Sequence, residues 1–492
     1  MTETAKKKRG MPSSFTILLA LLAIVAVITV IVSGTSGGAV TAARLSDFCT
    51  APILGFADAL PVCLFVMILG GFLGMMTETG ALDNGIAVLV QKLKGNEIML
   101  IPVLMLIFSL GGTTYGMCEE TVPFYALLAA TMMAAGFDPM VGAATVLLGA
   151  GCGCLGSTVN PFAVGAAVDA LTGVDIAVNQ SIIIGLGAVL WIVTTAMSIV
   201  FVMNYAKKVK ADKGSTILSM QELKDAEEAH GKAASEVHKE VKLTGRQKGV
   251  LIAFAFTFVV MIVGFIPLAD LNEGVANFFD AGAVYDADGN TVVQGWSALI
   301  TGLPIGQWYF DEASTWFFLM AILIGIIGGL SEKQIVNTFI TGAADMMSVV
   351  LVIALARGIS VLMANTGLDV YVLDAAANAL AGLSGVIFAP MSFLVYFGLS
   401  FLIPSTSGMA TVSMPIMGPL AVKLGFSPEV MVMIFSAAIG VVNLFTPTSG
   451  AIMGGLALAK IEWTTWLKFA LKLIVALSVV CAVILTVACV LI

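Results

Sequence analysis

The chain has 492 residues, of which 59% are hydrophobic and 11% are charged, and its mean hydropathy is +1.03. Soluble globular proteins carry about 25% charged residues, so this composition excludes a folded water-soluble enzyme. The formal net charge of −8 says less than the placement of the charges along the chain. Both histidines lie in one charged stretch, which argues against a histidine-dependent intramembrane protease or zinc enzyme.

Seven apolar runs are long enough to cross a bilayer, for which about 20 residues are needed. They cover residues 16–33, 57–76, 182–206, 249–267, 313–330, 346–365 and 465–491. Residues 1–15 are expected to form a cytoplasmic amino terminus, because the run that follows them is longer than the apolar core of a signal peptide. An all-α polytopic membrane protein is therefore the predicted fold class.

The basic residues predict the orientation, since the cytoplasmic loops of membrane proteins are enriched in Lys and Arg. Of the 23 basic residues, 20 fall in five segments that alternate consistently if all five face the cytoplasm. These segments are 6–9, 92–94, 207–248, Lys333 and 460–472. The amino terminus is then cytoplasmic and the carboxyl terminus external. The loop 268–312 has seven acids and no Lys or Arg, as an external loop should.

The charged stretch 207–248 is interpreted as a solvated cytoplasmic linker between two repeats, 16–206 and 249–492. Matched residues recur in the same order in both repeats. The pairs are Met76 and Met363, Gly116 and Gly408, Gly136 and Gly425, and Pro161 and Pro447, with separations of 287, 292, 289 and 286 residues. Because matched spans run in opposite directions, inverted repeats are predicted, an arrangement typical of secondary transporters.

Each repeat contains two unusual segments. Residues 98–136 and 385–425 are too short to cross the membrane twice, so each is predicted to be a re-entrant helical hairpin, with a pair of short tilted helices as the alternative. Residues 140–171 and 429–460 are each about 48 Å long as a helix, and proline with polar neighbours interrupts each one. Discontinuous transmembrane helices are therefore predicted, with breaks that line a cavity or are buried in protein.

The hairpin tips and helix breaks carry hydroxyl and amide side chains that we expect to bind the substrate. Neutral oxygens suit Na⁺ and half-helix N-termini suit a carboxylate, although the same side chains can serve as helix caps. The uncharged substrate-binding candidates are Thr113, Thr114, Asn160, Ser405, Thr406, Ser407, Asn443 and Thr448. The Na⁺-binding candidates are Thr114, Ser157, Asn160, Ser407 and Thr446. No cofactor is expected, and the coupling ion is expected to be Na⁺ or H⁺.

Three charges at membrane depth complete the candidate set, because each costs at least ~2.5–3.5 kcal/mol at a helix centre when unpaired. Glu119 and Glu120 follow the first hairpin tip. They are candidates for carrying a proton, for attracting a cationic substrate or for capping the returning helix. Arg357 has two interpretations that stay open, a bidentate clamp on a substrate carboxylate or a structural partner for a buried Glu.

Four motifs of this chain resemble the ion transporter superfamily of elevator-type secondary carriers. The closest likeness is to the YfcC-like group of the C4-dicarboxylate anaerobic carrier family, which is related to arginine/ornithine antiporters. The motifs are 112–120, 157–163, 404–408 and 446–450, and the resemblance covers roughly residues 11 to 492. Related carriers hold Na⁺ and carboxylate with Ser-Asn-Thr triplets, whereas this chain has Thr113-Thr114 and Ser405-Thr406-Ser407.

The resemblance implies a scaffold domain that forms a homodimer and a transport domain that moves across the bacterial inner (cytoplasmic) membrane. We predict a secondary active transporter of a small carboxylate-bearing metabolite that works by an elevator mechanism. A basic amino acid such as arginine or ornithine is favoured, because two Glu accompany one Arg. The alternative is a Na⁺- or H⁺-coupled carrier of C4-dicarboxylates or other organic anions. A channel or an enzyme is disfavoured, and no nucleic acid partner is expected.

Overall fold

The computed structural model describes residues 14–82, 84–85, 88, 96–118, 121–236, 242–266, 268–271, 273–286, 291–401, 403 and 405–492. Nearly all secondary structure in these segments is helical, as the composition predicted. A two-stranded antiparallel hairpin, β1 (Val284–Tyr285) and β2 (Thr291–Val293), lies in the predicted external loop. This hairpin is a small departure from the predicted all-α class.

The helices fall into three groups along the chain. The first half contains α1 (Ser14–Ser33), α2 (Leu45–Asp58), α3 (Leu60–Glu78), α4 (Leu100–Tyr115), α5 (Val122–Ala134), α6 (Pro139–Leu155), α7 (Ala166–Thr172) and α8 (Gln180–Ala211). The middle contains α9 (Met220–Glu236), α10 (Gly245–Phe265), α11 (Leu268–Leu271) and α12 (Glu273–Phe279). The second half contains α13 (Phe310–Gly328), α14 (Glu332–Asp345), α15 (Met347–Thr366), α16 (Leu368–Leu380), α17 (Gly385–Leu399), α18 (Thr406–Lys423), α19 (Pro428–Val442), α20 (Gly450–Leu458) and α21 (Trp463–Leu491).

Within the described segments, eight helices are long and apolar enough to cross a membrane. Seven of them correspond to the predicted apolar runs, namely α1, α3, α8, α10, α13, α15 and α21. The eighth is Glu97–Thr114, which the sequence assigned to the first arm of a hairpin. The second arm, α5, has 13 residues, about 20 Å of helix, and is too short to cross.

Glycine positions the turn after α4. The sequence centred the first tip on residues 111–116, but α4 continues through Tyr115 and ends at Gly116, whose φ is +82°. A Cβ at Gly116 would also lie 2.5 Å from Asn160 Oδ1. A left-handed backbone and this close approach both require glycine. The turn therefore begins later in the chain than predicted and directly against the first helix break.

The two breaks separate helices on either side. Residues 156–160 lie between α6 and a π-helical turn, Pro161–Gly165, that leads into α7. Residues 443–449 lie between α19 and α20. Each interruption includes or adjoins the proline that the sequence marked, because proline has no N–H to continue the helix.

The linker 207–248 is more than the solvated tether that its charge suggested. Its helix α9 packs against α5 of the first half. The buried carboxylate of Glu222 accepts a hydrogen bond from the Glu462 backbone N–H at 2.9 Å, at the start of α21. His230 Nε2 lies 3.1 Å from the carbonyl oxygen of Leu458, the last residue of α20. The linker therefore contacts both halves of the chain.

Docking of α9 is expected to weaken at acidic pH. Burial lowers the pKa of His230 from 6.5, the hydrogen bond with Leu458 opposes this shift, and the charge of Lys460 adds to it. The docked imidazole is therefore neutral, and the stabilisation that it provides is lost as the pH falls from 6.5 towards the lowered pKa. Hydrogen exchange of residues 220–231, corrected for intrinsic exchange rates, should be faster at low pH.

Two variants complete this experiment. His230→Gln keeps a side-chain N–H donor for the carbonyl but does not titrate, so its exchange should be independent of pH. His238→Gln, in the same linker but outside the described residues, should keep the pH dependence of the unsubstituted protein. A pH dependence that survives in His230→Gln would show that another group controls docking.

Candidate functional site

The turn after α4, the start of α18 and the two helix breaks meet at a cavity of about 170 Å³, so both halves of the chain contribute to it. Seven sequence-predicted residues line it: Asn160, Arg357, Ser405, Thr406, Ser407, Asn443 and Thr448. Apolar side chains that include Val62, Phe162, Phe310 and Ile353 form much of the remaining wall. A small cavity with apolar walls and a few convergent polar groups is the usual form of a small-molecule site.

Asn160 organises the first break. Its Nδ2 donates to Ser157 Oγ at 2.9 Å, and its Oδ1 accepts from the backbone N–H groups of Phe162 at 2.9 Å and Ala163 at 3.3 Å. Ser157 in turn donates to the Cys154 carbonyl at 2.6 Å. These bonds satisfy backbone groups that the break leaves without helical partners. A Na⁺ ion bound by Ser157 and Asn160 would therefore compete with existing hydrogen bonds.

Thr113 and Thr114 are not among the residues that line the cavity. The Thr113 hydroxyl, 1% exposed, donates to the Gly156 carbonyl at 2.7 Å, and the Thr113 carbonyl accepts from the Thr158 N–H at 2.9 Å. The Thr114 hydroxyl donates at 2.7 Å to the carbonyl of Leu110 in its own helix. Thr113 thus bonds α4 to the first break, whereas the described hydrogen bonds of the Thr114 hydroxyl stay within α4.

Thr113→Val is expected to lower the melting temperature more than Thr114→Val. The first substitution removes the hydroxyl donor of the buried Gly156 carbonyl, at a cost of about 1–3 kcal/mol. The second removes a bond to a carbonyl in the body of a helix, so little stability should be lost. Thermal unfolding of the detergent-purified variants measures the difference, and Thr113→Ser should recover most of it. Equal melting temperatures for the two valine variants would refute the assigned role of Thr113.

Two tryptophan indoles donate hydrogen bonds to backbone carbonyls of the second break. Trp463 Nε1 donates to the Phe445 carbonyl at 2.7 Å, and Trp466 Nε1 donates to the Leu444 carbonyl at 2.9 Å. Both tryptophans lie in the first turn of α21. Opened backbone at membrane depth has to be satisfied by protein or by a water-filled cavity, and here the protein provides two donors. The second break is thus bonded to the start of α21, and neither tryptophan is among the described residues that line the cavity.

The polar side chains of the second half divide into two groups. Thr446 and Thr448 hydrogen-bond each other through hydroxyls 2.7 Å apart, and both are buried. Thr406, Ser407 and Asn443 line the cavity, and their side chains have no hydrogen-bond partner within the described part of the chain. The second group is therefore available to a ligand without breaking an existing bond.

Two helix N-termini point at the cavity. Ser405 is the N-cap of α18 and accepts a hydrogen bond from the Gly408 N–H at 3.1 Å. Ser449 is the N-cap of α20. Both serines and the residues that follow them line the cavity. Free N–H groups and the positive end of a helix dipole favour an anionic group at such positions.

Arg357 is the one Lys, Arg, Asp or Glu among the described residues that line the cavity. Its Nε lies 2.8 Å from Asp58 Oδ2, and the two side chains are 27% and 51% exposed. Among the described residues the partner of Arg357 is thus a half-exposed Asp, whereas the sequence interpretation considered a buried Glu. Because Arg357 lines the cavity as well, a carboxylate clamp stays available to it. Glu119 and Glu120 lie outside the described residues.

The family of the chain follows from its sequence as a whole. The model of the C4-dicarboxylate anaerobic carrier family, DcuC, matches residues 40–490. The chain belongs to the DcuC family. The match spans both halves, and every helix that contributes to the cavity lies within it. The resemblance predicted from the motifs is confirmed, and the chain is a multi-pass membrane transporter.

Two relatives of this DcuC-family chain align with it over most of its length. A protein of Haemophilus influenzae with no functional name is 28% identical over 445 residues, which are 90% of this chain and 78% of the relative. The Escherichia coli K12 protein named "Putative basic amino acid antiporter YfcC" is 27% identical over 440 residues, which are 87% of this chain and 77% of the relative. Family and relative are thus named for different substrates.

Two solved structures align with the DcuC-family chain over most of its length. MtrF of Neisseria gonorrhoeae, from a class of antimetabolite efflux pumps, covers 98% of this chain and 96% of its own, with 16% identity and a TM-score of 0.44. The YdaH transporter of Alcanivorax borkumensis covers 97% and 98%, with 15% identity and a TM-score of 0.46. At these scores the likeness carries no conclusion about the site.

Sequence reasoning missed Asp58. The predicted span began at residue 57, which placed this acid at the membrane surface. In the structure α2 ends at Asp58 and α3 begins at Leu60, so the acid interrupts a longer helical stretch. A lone acid between two apolar runs was the available signal. Tyr125 and Ser436 also line the cavity, but no motif marks them.

Proposed function

We propose that this DcuC-family chain is a secondary active transporter of a small carboxylate-bearing metabolite, specifically a basic amino acid such as arginine or ornithine. One observation supports a carboxylate on the substrate. Arg357 and the N-termini of α18 and α20 line the same cavity. A guanidinium offers paired donors to a carboxylate, and two helix ends add backbone N–H groups and positive potential. Ser405 and Ser449, the two N-cap residues, also line the cavity, which supports including them in this anion subsite.

The charge balance supports an amino acid over a dianion. Asp58 already offsets the charge of Arg357. Glu119 and Glu120 directly follow Cys118, a lining residue, in the sequence. Three acids and one Arg suit a substrate that carries a carboxylate together with more positive than negative charge. The name of the Escherichia coli relative agrees with this substrate. The description of the DcuC family supports the second candidate, a C4-dicarboxylate or other organic anion coupled to Na⁺ or H⁺.

We further propose inverted repeats as the basis of an elevator mechanism. Helix α2 crosses α15 and helix α14 crosses α3. A Cβ at Gly55 would lie 2.7 Å from Gly358 Cα, and a Cβ at Gly342 would lie 3.0 Å from Gly71 Cα. Gly55 and Gly342, like Gly71 and Gly358, are 287 residues apart, which is the separation of the matched methionines. Two equivalent close crossings support a repeat that extends beyond the sequence motifs.

The hairpins and breaks follow the same correspondence. In the first half α4 packs against α6 and α8, and in the second half α17 packs against α19 and α21. We propose that these helices, with α5, α18 and the breaks, form the unit that moves with the cargo. Helices α1, α3, α13 and α14 then belong to the static scaffold that holds a homodimer in the cytoplasmic membrane.

A ligand screen by thermal unfolding tests the substrate class, because a ligand that binds the folded state raises the melting temperature. We expect arginine or ornithine to stabilise the detergent-purified protein and succinate or fumarate to have no effect. Stabilisation by the dicarboxylates alone would replace the amino acid with the second candidate. Repeating the screen with Na⁺ replaced by K⁺ shows whether ligand binding requires Na⁺.

A further inference from the structure

We propose that Asp58 binds the α-ammonium group of the amino acid while Arg357 binds its α-carboxylate. This inference rests on the proposed function and deepens it by assigning a second charged subsite. The two side chains pair with each other at 2.8 Å. An amino acid presents a positive and a negative group on one carbon atom, so it can bind both side chains together and leave their summed charge unchanged.

The depth of the pair identifies what Asp58 faces. Arg357 lies ten residues after the start of the span Met347–Thr366, about 15 Å of helix from either end. Asp58 contacts it directly and therefore lies at a similar depth. A carboxylate that is 51% exposed there has to face water, because lipid would impose a cost of several kcal/mol. That water is assigned to the cavity: Asp58 is not among its lining residues, but the adjacent Ala59 and the nearby Val62 line it together with Arg357.

The pair has hydrogen-bonding capacity left for a ligand. Arg357 uses Nε for Asp58, and a guanidinium has five N–H groups in all. Within the described segments no other partner is found for the Arg357 guanidinium or for the Asp58 carboxylate. The free Nη edge of Arg357 is thus available for a bidentate carboxylate, and the second oxygen of Asp58 is available for an ammonium.

The proposal also accounts for the state after the cargo leaves. An unpaired charge at membrane depth is costly, and losing an amino acid from the site exposes one charge of each sign. Asp58 and Arg357 remain paired with each other, so neither is left alone. A dicarboxylate would instead bind Arg357 and place its second carboxylate near Asp58, and a diamine would bind Asp58 and leave Arg357 unsatisfied. The pair therefore selects for zwitterions.

Three probes that differ by one charged group test the assignment by equilibrium binding to the full chain in detergent. They are ornithine, 5-aminopentanoate, which lacks the α-ammonium, and putrescine, which lacks the carboxylate. In the unsubstituted protein we expect 5-aminopentanoate to bind about 10- to 100-fold more weakly than ornithine. In Asp58→Asn the two should bind within about threefold of each other, because the ammonium has lost its partner. Putrescine should bind weakly to both proteins.

Two variants control for folding and for nonspecific charge effects. Asp345→Asn changes the acid 287 residues after Asp58, which is exposed and, unlike Asp58, does not pair with Arg357, and it should keep full discrimination. Asp58→Glu keeps the charge and should keep part of the discrimination. Undiminished preference for ornithine in Asp58→Asn would overturn this inference and leave the proposed function intact. Binding of succinate but not of ornithine to the unsubstituted protein would overturn the proposed function itself.

Discussion

Arg357→Gln is expected to reduce substrate uptake into proteoliposomes by more than about 100-fold. The substitution removes the charged donor of the cavity, and it leaves Asp58 without its partner at membrane depth. Glutamine retains a neutral N–H donor but no charge, so a carboxylate loses both the ion pair and the bidentate geometry. Arg357→Lys, which keeps the charge without the planar fork, should recover only part of the uptake.

A double variant separates substrate binding from a structural ion pair. If Arg357 served only to neutralise Asp58, then Asp58→Asn combined with Arg357→Gln would restore uptake, since no unpaired charge remains. We expect the double variant to stay inactive while its melting temperature recovers relative to Arg357→Gln. Lys423→Gln, which changes an exposed cation at the end of α18, should transport normally. Restored uptake in the double variant would assign Arg357 a structural role.

Gly112→Ala is expected to prevent folding or to lower the melting temperature by about 1–3 °C or more. A Cβ at Gly112 would lie 2.2 Å from the Ala150 carbonyl oxygen and 2.9 Å from Gly153 Cα, so α4 and α6 would have to separate. Backbone atoms of a helix cannot move aside as the end of a flexible side chain can. Overpacking at such a contact costs about 1–3 kcal/mol or more. The displaced helices carry the first tip and the first break, so the cavity would be distorted as well.

Gly398→Ala is the matched control for this substitution. Gly398 lies on α17, which the proposed repeat matches to α4, and a Cβ there would meet no atom within 4 Å. Alanine has the higher helix propensity, so this variant should be as stable as the unsubstituted protein or slightly more stable. Size-exclusion profiles and thermal unfolding in detergent compare the two. Similar losses in both variants would mean that the contact between α4 and α6 is looser than the structure indicates.

Local chemistry made several features predictable. Apolar runs of span length predicted the positions of α1, α3, α8, α10, α13, α15 and α21, because each has to match the thickness of the bilayer. Pro161 and Pro447 marked the interrupted segments, since proline removes a backbone donor whatever surrounds it. Short amphipathic helices were harder to predict. Helices α2 and α14 were missed because each has 14 residues and is shorter than the span length used to find helices.

Other features depended on which distant groups meet. Thr113 and Thr406 are both hydroxyl residues near hairpin tips, yet packing directs Thr113 to the Gly156 carbonyl and leaves Thr406 in the cavity wall. The linker looked solvated by charge, but α9 docks through Glu222 and His230 to backbone groups more than 200 residues away.

The sequence by itself therefore determined the membrane class, the spans, the interruptions and the family of this protein. Hydrophobicity and proline geometry act on neighbouring residues, so their consequences can be predicted along the chain. The tertiary structure alone decided which hydroxyls bond backbone, that Arg357 pairs with Asp58, and which side chains share a cavity. Hydrogen bonds and ion pairs form between whichever groups the fold brings within about 3 Å, and sequence separation does not limit that choice.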